Sequence, residues 1–321
     1  MAETPQLDIV TLTINPALDV STSVTKMVPF TKMRCAEPQR DPGGGGINVA
    51  RVLKRLGFEA TAVYPAGGAT GQTLAALVER EAVRSIVIPT SKDTRQDITV
   101  FDETSKEQFR LVFPGAPLSE FEWQQCLDTI ERLSAQAAFV IASGSLPPGV
   151  PDDFYGRVVR ASKGAAKVIA DTSGAALKAA LEAGVYLIKP NLREFQELAG
   201  ISCANEQSLL EAGRRLFSRY RIDIIALSMG PSGALLLTRD IALRASGLAI
   251  EPVSVSGAGD SFLGAMVSRL AHSDKLDDAL RYGVAGGSAA LLSPGTGLCF
   301  GADVHRLASR VNVAAITGYH A

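Results

Sequence analysis

An α/β fold with a mainly parallel sheet and helices on both faces is what this sequence predicts, on three observations. Short apolar segments of strand length alternate with helical periodicities along most of the 321 residues. Several of those segments end in glycine- or asparagine-containing turns that open the next helix, as in βαβ units. Hydrophobic residues make up 46% of the chain and charged ones 20%, which suits a large folded core and excludes disorder.

The first strand is expected at 9–14. Residues 46–56 have a helical pattern: Ile47, Ala50, Leu53 and Leu56 recur every three residues, Val49 and Val52 widen the face, and Gly57 is the stop. A strand at 61–64 and a helix at 70–82, opened by a small polar cap, follow. Ser119 caps the next helix, and Glu122 three residues later completes a capping box. A short buried strand is expected at 139–142. Strands at 168–171 and 186–189 pair with helices at 175–183 and 193–199, and the strand 222–228 follows a helix at 209–220. An apolar stretch (Leu248, Ile250, Val253, Val255) reads as a strand leading into helices 260–270 and 276–292, whose alanine, glycine and leucine content suits close packing. Two stretches break this rhythm. Residues 20–41 have no helical period, and 94–113 read as two strands, 97–101 and 108–112, around a polar turn. Both are expected to form an antiparallel β-flap, built from about 18–41 and 94–113 of one domain spanning 1–321. Such a flap must cover its apolar face with ligand or a second subunit.

A formal net charge of −1 leaves no broad basic footprint, so neither nucleic acid nor a membrane is an expected partner. The four cysteines (Cys35, Cys126, Cys203, Cys299) include no C-x-x-C pair, which predicts reduced thiols rather than a zinc site or disulfides. Met1-Ala2-Glu3-Thr4-Pro5 has no basic n-region before an apolar core, and no apolar run reaches a membrane span. The cytoplasm is the expected location.

The most informative chemistry lies at Ser256-Gly257-Ala258-Gly259-Asp260, just before a buried helix. Small residues there leave the amides of Gly257, Ala258 and Gly259 open at a helix N-terminus, where unpaired donors and the dipole favour an anion. Asp260 follows at once. An anion cradle beside a proton acceptor is what phosphoryl transfer to a hydroxyl requires. The same residues also describe a tight αL turn capped by Asp260. Pro42 and four glycines, Gly43 to Gly46, open a second helix through Ile47-Asn48; this is neither G-x-G-x-x-G nor G-x-x-x-x-G-K-[ST]. Asn15 and Asp19 follow the first strand and suit sugar hydroxyls, although Asp19 also reads as a turn residue. Arg95, at the start of the flap, can hold a phosphate bidentately, and Lys32 and Arg34 offer the same chemistry. Asn191 and Glu194 share one helix face suited to ordering Mg²⁺ near a triphosphate, or simply start a helix. Ser228-Met229-Gly230-Pro231-Ser232-Gly233 is a turn that can lie along a nucleotide.

Together, Pro42-Gly43-Gly44-Gly45-Gly46-Ile47-Asn48-Val49-Ala50, Ser143-Gly144-Ser145-Leu146-Pro147-Pro148-Gly149, Lys189-Pro190-Asn191, Ser228-Met229-Gly230-Pro231 and Gly257-Ala258-Gly259-Asp260-Ser261 resemble the ribokinase family of carbohydrate kinases. The match runs over nearly the whole chain in order. Within the family it looks most like the B-type 6-phosphofructokinase branch, supported by Thr11-Leu12-Thr13, Ala66-Gly67-Gly68-Ala69-Thr70-Gly71 and Thr94-Arg95-Gln96. The neighbouring 1-phosphofructokinases and tagatose-6-phosphate kinases usually have Gly-Lys-Gly where this chain has Gly45. The resemblance implies a Rossmann-like ribokinase fold with a β-lid that pairs with a second subunit's lid in a homodimer. It implies ATP and a sugar phosphate, most closely fructose 6-phosphate, as substrates. Asp260 is then the base, and the amides of Gly257, Ala258 and Gly259 the anion hole. Asp19, Gly44, Asn48, Arg95 and Ser143 would hold the sugar. Lys189, Asn191, Ser228, Gly230, Pro231 and Gly233 would line ATP, with Val284 and Ser288 against adenine and Glu194 ordering Mg²⁺. A monovalent cation, K⁺, is expected near Ser254, Ser256, Ala290, Ser293 and Gly295. There Ser293 and Gly297 stand where a close relative has Asn and Arg, and Val255 replaces a threonine. Lys32 and Arg34 would be candidates for a second, inhibitory ATP near the flap.

The alternatives are a 1-phosphofructokinase or tagatose-6-phosphate kinase, a nucleoside kinase, and a catalytically silent sugar-phosphate sensor on the same fold. Arg95 and the basic flap residues favour a phosphorylated sugar over a nucleoside. An NAD-dependent oxidoreductase lacks its glycine fingerprint.

Overall fold

Strands buried on both faces read as continuous apolar runs, and each needs a helix on either side. The computed structural model describes residues 8–162, 166–203, 205–273 and 275–319; the first seven, read above for a leader, lie outside them. The elements in chain order begin β1 (Asp8–Leu12), β2 (Ala17–Val24), β3 (Gln39–Gly43), α1 (Gly45–Arg55), β4 (Ala60–Ala66), α2 (Gly68–Arg80) and β5 (Arg84–Pro89). Next come β6 (Arg95–Asp102), β7 (Gln108–Leu111), α3 (Glu120–Ser134), β8 (Ala137–Ser143), α4 (Phe154–Ala161), β9 (Lys167–Asp171), α5 (Gly174–Ala183), β10 (Val185–Ile188) and α6 (Leu192–Ala199). The chain ends with α7 (Glu206–Arg219), β11 (Ile222–Ser228), β12 (Ala234–Leu237), β13 (Ala242–Ala245), α8 (Ala258–Leu270), α9 (Leu276–Ala290), α10 (Gly301–Ala308) and β14 (Val313–Ala315).

Among the described residues, ten strands form one sheet in the order β14-β13-β12-β11-β10-β9-β8-β1-β4-β5. From β5 through β11 every pairing is parallel; β12, β13 and β14 extend that edge antiparallel. Side chains alternate between two cores, as strand geometry requires. Phe139 and Ile141 of β8 belong to the core that also holds residues of α1, α8 and α9, whereas Val140 and Ala142 belong to the core that holds residues of α3, α4 and α7. The α8–α9 contact is close: a Cβ on Gly286 would sit 2.5 Å from both Ala265 Cβ and the Ser261 carbonyl oxygen. That is why the late helices are rich in glycine and alanine. The capping box predicted for α3 forms, with Ser119 and Glu122 each accepting from the other's backbone N–H.

Two expectations are corrected. No strand precedes α8: β13 ends at Ala245, and Leu248, Ile250 and Val255 run without regular structure along a cavity wall. The second sheet, ordered β3-β2-β6-β7, is antiparallel at both outer pairings, but its central pair β2–β6 is parallel. The two halves of the sheet come from distant parts of the chain and are not joined by a hairpin, so nothing forces that pair to be antiparallel. Short periodicities hid β5, α4, β12, β13, α10 and β14. No described helix is long and apolar enough to cross a membrane.

Candidate active site

Parallel strands deliver their C-terminal ends to one edge of the sheet, where ligands bind in open α/β folds. Ser143 closes β8, Asp171 closes β9, Lys189 follows β10 and Ser228 closes β11. The first turn of α1 is held over this edge by Thr13, whose Oγ1 accepts from the Ile47 N–H at 2.8 Å.

A cavity of about 220 Å³ opens between that edge and the small sheet. Of the predicted residues, Asp19, Gly44, Asn48, Arg95, Ser143, Ser256, Gly257 and Asp260 line it. A second cavity of about 360 Å³ is lined by Ser228, Gly230, Pro231, Gly233, Val284 and Ser288, with apolar walls from Leu248, Ile250, Phe262 and Leu291. Ala258 and Gly259 face the second cavity, while Gly257 and Asp260 face the first. The first turn of α8 is the partition between the two. No side chain caps this helix, and Gly257 at its N-cap has φ 74°, a left-handed value that glycine adopts without strain. The partition thus offers open N–H donors where the two cavities meet.

Asp260 stands on this partition, and Asn48 Nδ2 donates to its Oδ2 at 2.8 Å. Burial pushes the Asp260 carboxyl up to about 6; Asp171 adds to the rise, and Asn48, Lys189 and Arg110 oppose it. Lys189 is buried, with Nζ 3.2 Å from Asp171 Oδ1. Burial works to lower the Lys189 pKa, but Asp171, Asp260 and Glu194 together hold it above its usual value.

Asp19 lies in β2, paired with Asp41 of β3 and Asp97 of β6. Burial pushes it up to about 6, with Asp97 and Asp260 adding and Arg110 and Arg95 opposing. Arg95 Nη1 donates to both Asp97 oxygens, at 2.7 and 2.9 Å, while its buried Nε has no hydrogen-bond partner. Arg110 reaches within 3.9 Å of Asp97. At Gly45, a Cβ would collide with Ser143 Oγ, so this backbone takes no lysine there unless Ser143 moves.

Other predicted residues lie elsewhere. Lys32 and Arg34 are exposed between β2 and β3 and line neither cavity of this chain. Asn191 and Glu194 close a capping box at the start of α6, so helix initiation occupies one carboxylate oxygen of Glu194. Lys189 lines neither cavity, but its Nζ lies 3.5 Å from where a Cβ on Gly259 would be. Ser254 Oγ donates to the Gly295 carbonyl at 2.5 Å, and the Ala290 carbonyl accepts from Ser293 N. Gly297 packs against Ser293, where a Cβ would come within 2.7 Å of Ser293 Cβ, so the two departures from the family pattern touch each other. This oxygen-only donor set without a carboxylate suits a cation of low charge density. Among the described residues, no group of three or more His, Cys, Asp or Glu side chains could hold a metal ion.

Sequence reasoning missed Asp97, Arg110, Asp171 and Thr296, all of which face the first cavity. Asp171 had a signal, since it closes a strand just as Ser143 does. Asp97, Arg110 and Thr296 had none, because the small sheet alone brings them to the cavity.

Comparison with known proteins adds independent findings. The model of the "pfkB family carbohydrate kinase" family matches residues 11–302. ATP-dependent 6-phosphofructokinase isozyme 2 of Mycobacterium tuberculosis is 44% identical over 299 residues, covering 93% of this chain and 88% of its own. The isozyme 2 of Escherichia coli K12 is 39% identical over 301 residues, covering 93% of this chain and 97% of its own. The crystal structure of phosphofructokinase-2 from Escherichia coli in complex with potassium superposes with a TM-score of 0.91 at 38% identity, covering 95% of this chain and 99% of that one.

Proposed function

This chain belongs to the pfkB family of carbohydrate kinases, and from that membership we propose that it phosphorylates fructose 6-phosphate to fructose 1,6-bisphosphate with ATP. It is an ATP-dependent sugar-phosphate kinase. The observation that carries the reading is Asp260 on the partition between a polar cavity and a larger, more apolar one. The polar cavity suits the sugar phosphate: Asn48 and Ser143 can bond hydroxyls, and the Arg95 guanidinium in its wall supplies charge for an anion. The apolar cavity suits adenine, with Val284 and Ser288 in its wall. Asp260 takes the proton of the acceptor hydroxyl, and the amides at the start of α8 hold the charge on the migrating phosphoryl oxygens.

Mg²⁺, held chiefly by the nucleotide's phosphates with Glu194 nearby, would neutralise phosphate charge; such ions keep most of their water and need few carboxylates. The oxygen donors around Ser254, Ala290 and Gly295 suit K⁺, as does the potassium complex of the Escherichia coli relative. The cytoplasm is the proposed location.

The small sheet is proposed to act as a lid and as the dimer contact. Phe30, Phe109, Leu111, Val112 and Phe113 expose apolar surface on and around it, which a second copy would cover. Sedimentation as a monomer at micromolar concentration would count against the dimer.

A 1-phosphofructokinase or tagatose-6-phosphate kinase is the second reading, and the Gly45–Ser143 approach disfavours it because it leaves no room for the lysine usual in those neighbours. Fructose 6-phosphate, fructose 1-phosphate and tagatose 6-phosphate assayed side by side with Mg-ATP test the assignment. The highest kcat/KM is expected for fructose 6-phosphate. A tenfold preference for either competitor, about 1.4 kcal/mol, overturns the substrate, and no turnover on any of the three overturns the kinase.

A further inference from the structure

A buried guanidinium stands behind the base. Arg51, one turn beyond Asn48 on α1, is only 2% exposed, a burial arginine rarely has unless its donors are satisfied. Its Nη1 donates to Asn48 Oδ1 at 3.1 Å and to the Pro42 carbonyl at 2.9 Å. Its Nε donates to Glu81 Oε1 at 2.9 Å, and Nη2 bonds the same carboxylate. Asp41 Oδ1 lies 4.0 Å from Nη2.

An asparagine amide has an accepting end and a donating end, and its neighbours decide which way it faces. Arginine carries donors only. With Arg51 on one side, the Asn48 oxygen must face it, which leaves Nδ2 for the Asp260 carboxylate. If Arg51 is replaced by a group that can accept, the amide is free to turn and set its oxygen against that carboxylate. We propose that Arg51 is a positioning residue for the phosphoryl-transfer reaction: it locks the Asn48 amide so that a donor always faces Asp260, and its bond to Pro42 ties that orientation to strand β3. This rests on reading Asp260 as the base. The other charged groups facing Asp260 are Asp171 from β9, Lys189 after β10, Arg110 from β7 and Asp19 from β2, and none of them is a partner of Arg51.

The test is the pH dependence of kcat in Arg51→Gln, Arg51→Lys and Glu81→Gln. Glutamine can accept as well as donate, so Arg51→Gln is expected to lower kcat by about 10–100-fold, as loss of an orienting partner does at metal centres. Its acid limb is expected to move up by about one pH unit, the worth of one hydrogen bond to a charged group, with KM for the sugar phosphate nearly unchanged. Lysine is donor-only but has a single nitrogen, so Arg51→Lys is expected between wild type and Arg51→Gln in both readouts. Glu81→Gln leaves Arg51 facing Asn48, and is expected to lower the thermal midpoint without moving the limb. A lowered kcat in Arg51→Gln with an unmoved limb makes Arg51 merely structural and overturns the inference. If Arg51→Gln does not fold, Arg51→Met, which takes away every donor facing Asn48, decides: an upward limb supports the inference, and an unmoved one overturns it. Asp260→Asn is measured alongside; full turnover there removes the base itself, a separate failure.

Discussion

Asp260→Asn is expected to lower kcat by about 10²–10⁴-fold, the range for losing a general base, while KM for fructose 6-phosphate changes little. Asparagine keeps the size and can still bond Asn48, so the cavity stays intact. It cannot accept the hydroxyl proton. The variant should fold at least as well as wild type, because Asp171 repels the Asp260 charge and that repulsion disappears. The buried Asp260 carboxyl also sets the pH profile. Burial holds the Asp260 carboxyl at about 6, and a base works only when deprotonated, so kcat of the wild type should fall as pH drops through that region. Asp260→Asn should lack that limb. Asp19 is also pushed up to about 6, so the limb is read in kcat, and Asp19→Asn should instead raise KM. Unchanged turnover in Asp260→Asn would falsify the assignment of the base.

The largest stability effect is expected from Lys189→Met. Lys189 and Asp171 form a buried pair at 3.2 Å, and removing one partner of such a pair typically costs about 3–5 kcal/mol, because the other charge stays buried and uncompensated. Domains of this kind are stable by only about 5–15 kcal/mol, so the thermal midpoint should fall steeply. Catalysis should change in a defined direction too. Lys189 opposes the raised pKa of Asp260, so its loss should move the acid limb of kcat to higher pH. Lys189→Met/Asp171→Asn removes both charges and should recover much of the midpoint. A single variant as stable as wild type would mean that the ammonium does not compensate Asp171.

Much of the fold was legible because its signals are local. The apolar period of α1, the capping box at Ser119 and Glu122, and each of the apolar runs of β8, β9, β10 and β11 lie within a dozen residues or fewer. The elements missed were short, such as β12, β13 and β14, where three to four residues carry no distinguishing period. The apolar stretch before α8 misled for the same reason, since residues lining a cavity and residues of a buried strand are equally apolar. In the site, the glycine-rich openings of α1 and α8 announced themselves. Asp97 and Arg110 did not, since nothing in Gln96-Asp97-Ile98 or Phe109-Arg110-Leu111 marks a side chain that faces ligand.

The sequence alone determined the alternating β and α elements, the open amides before Asp260 and the family, because each is encoded in neighbouring residues or in the order of short motifs. The tertiary structure alone decided that Asn48 donates to a carboxylate 212 positions away, that Arg51 fixes which end of that amide does so, and that Lys189 pairs with Asp171. Charge and hydrogen-bond partnerships depend on distance and burial, and those exist only once the sheet has brought its strand ends to one edge.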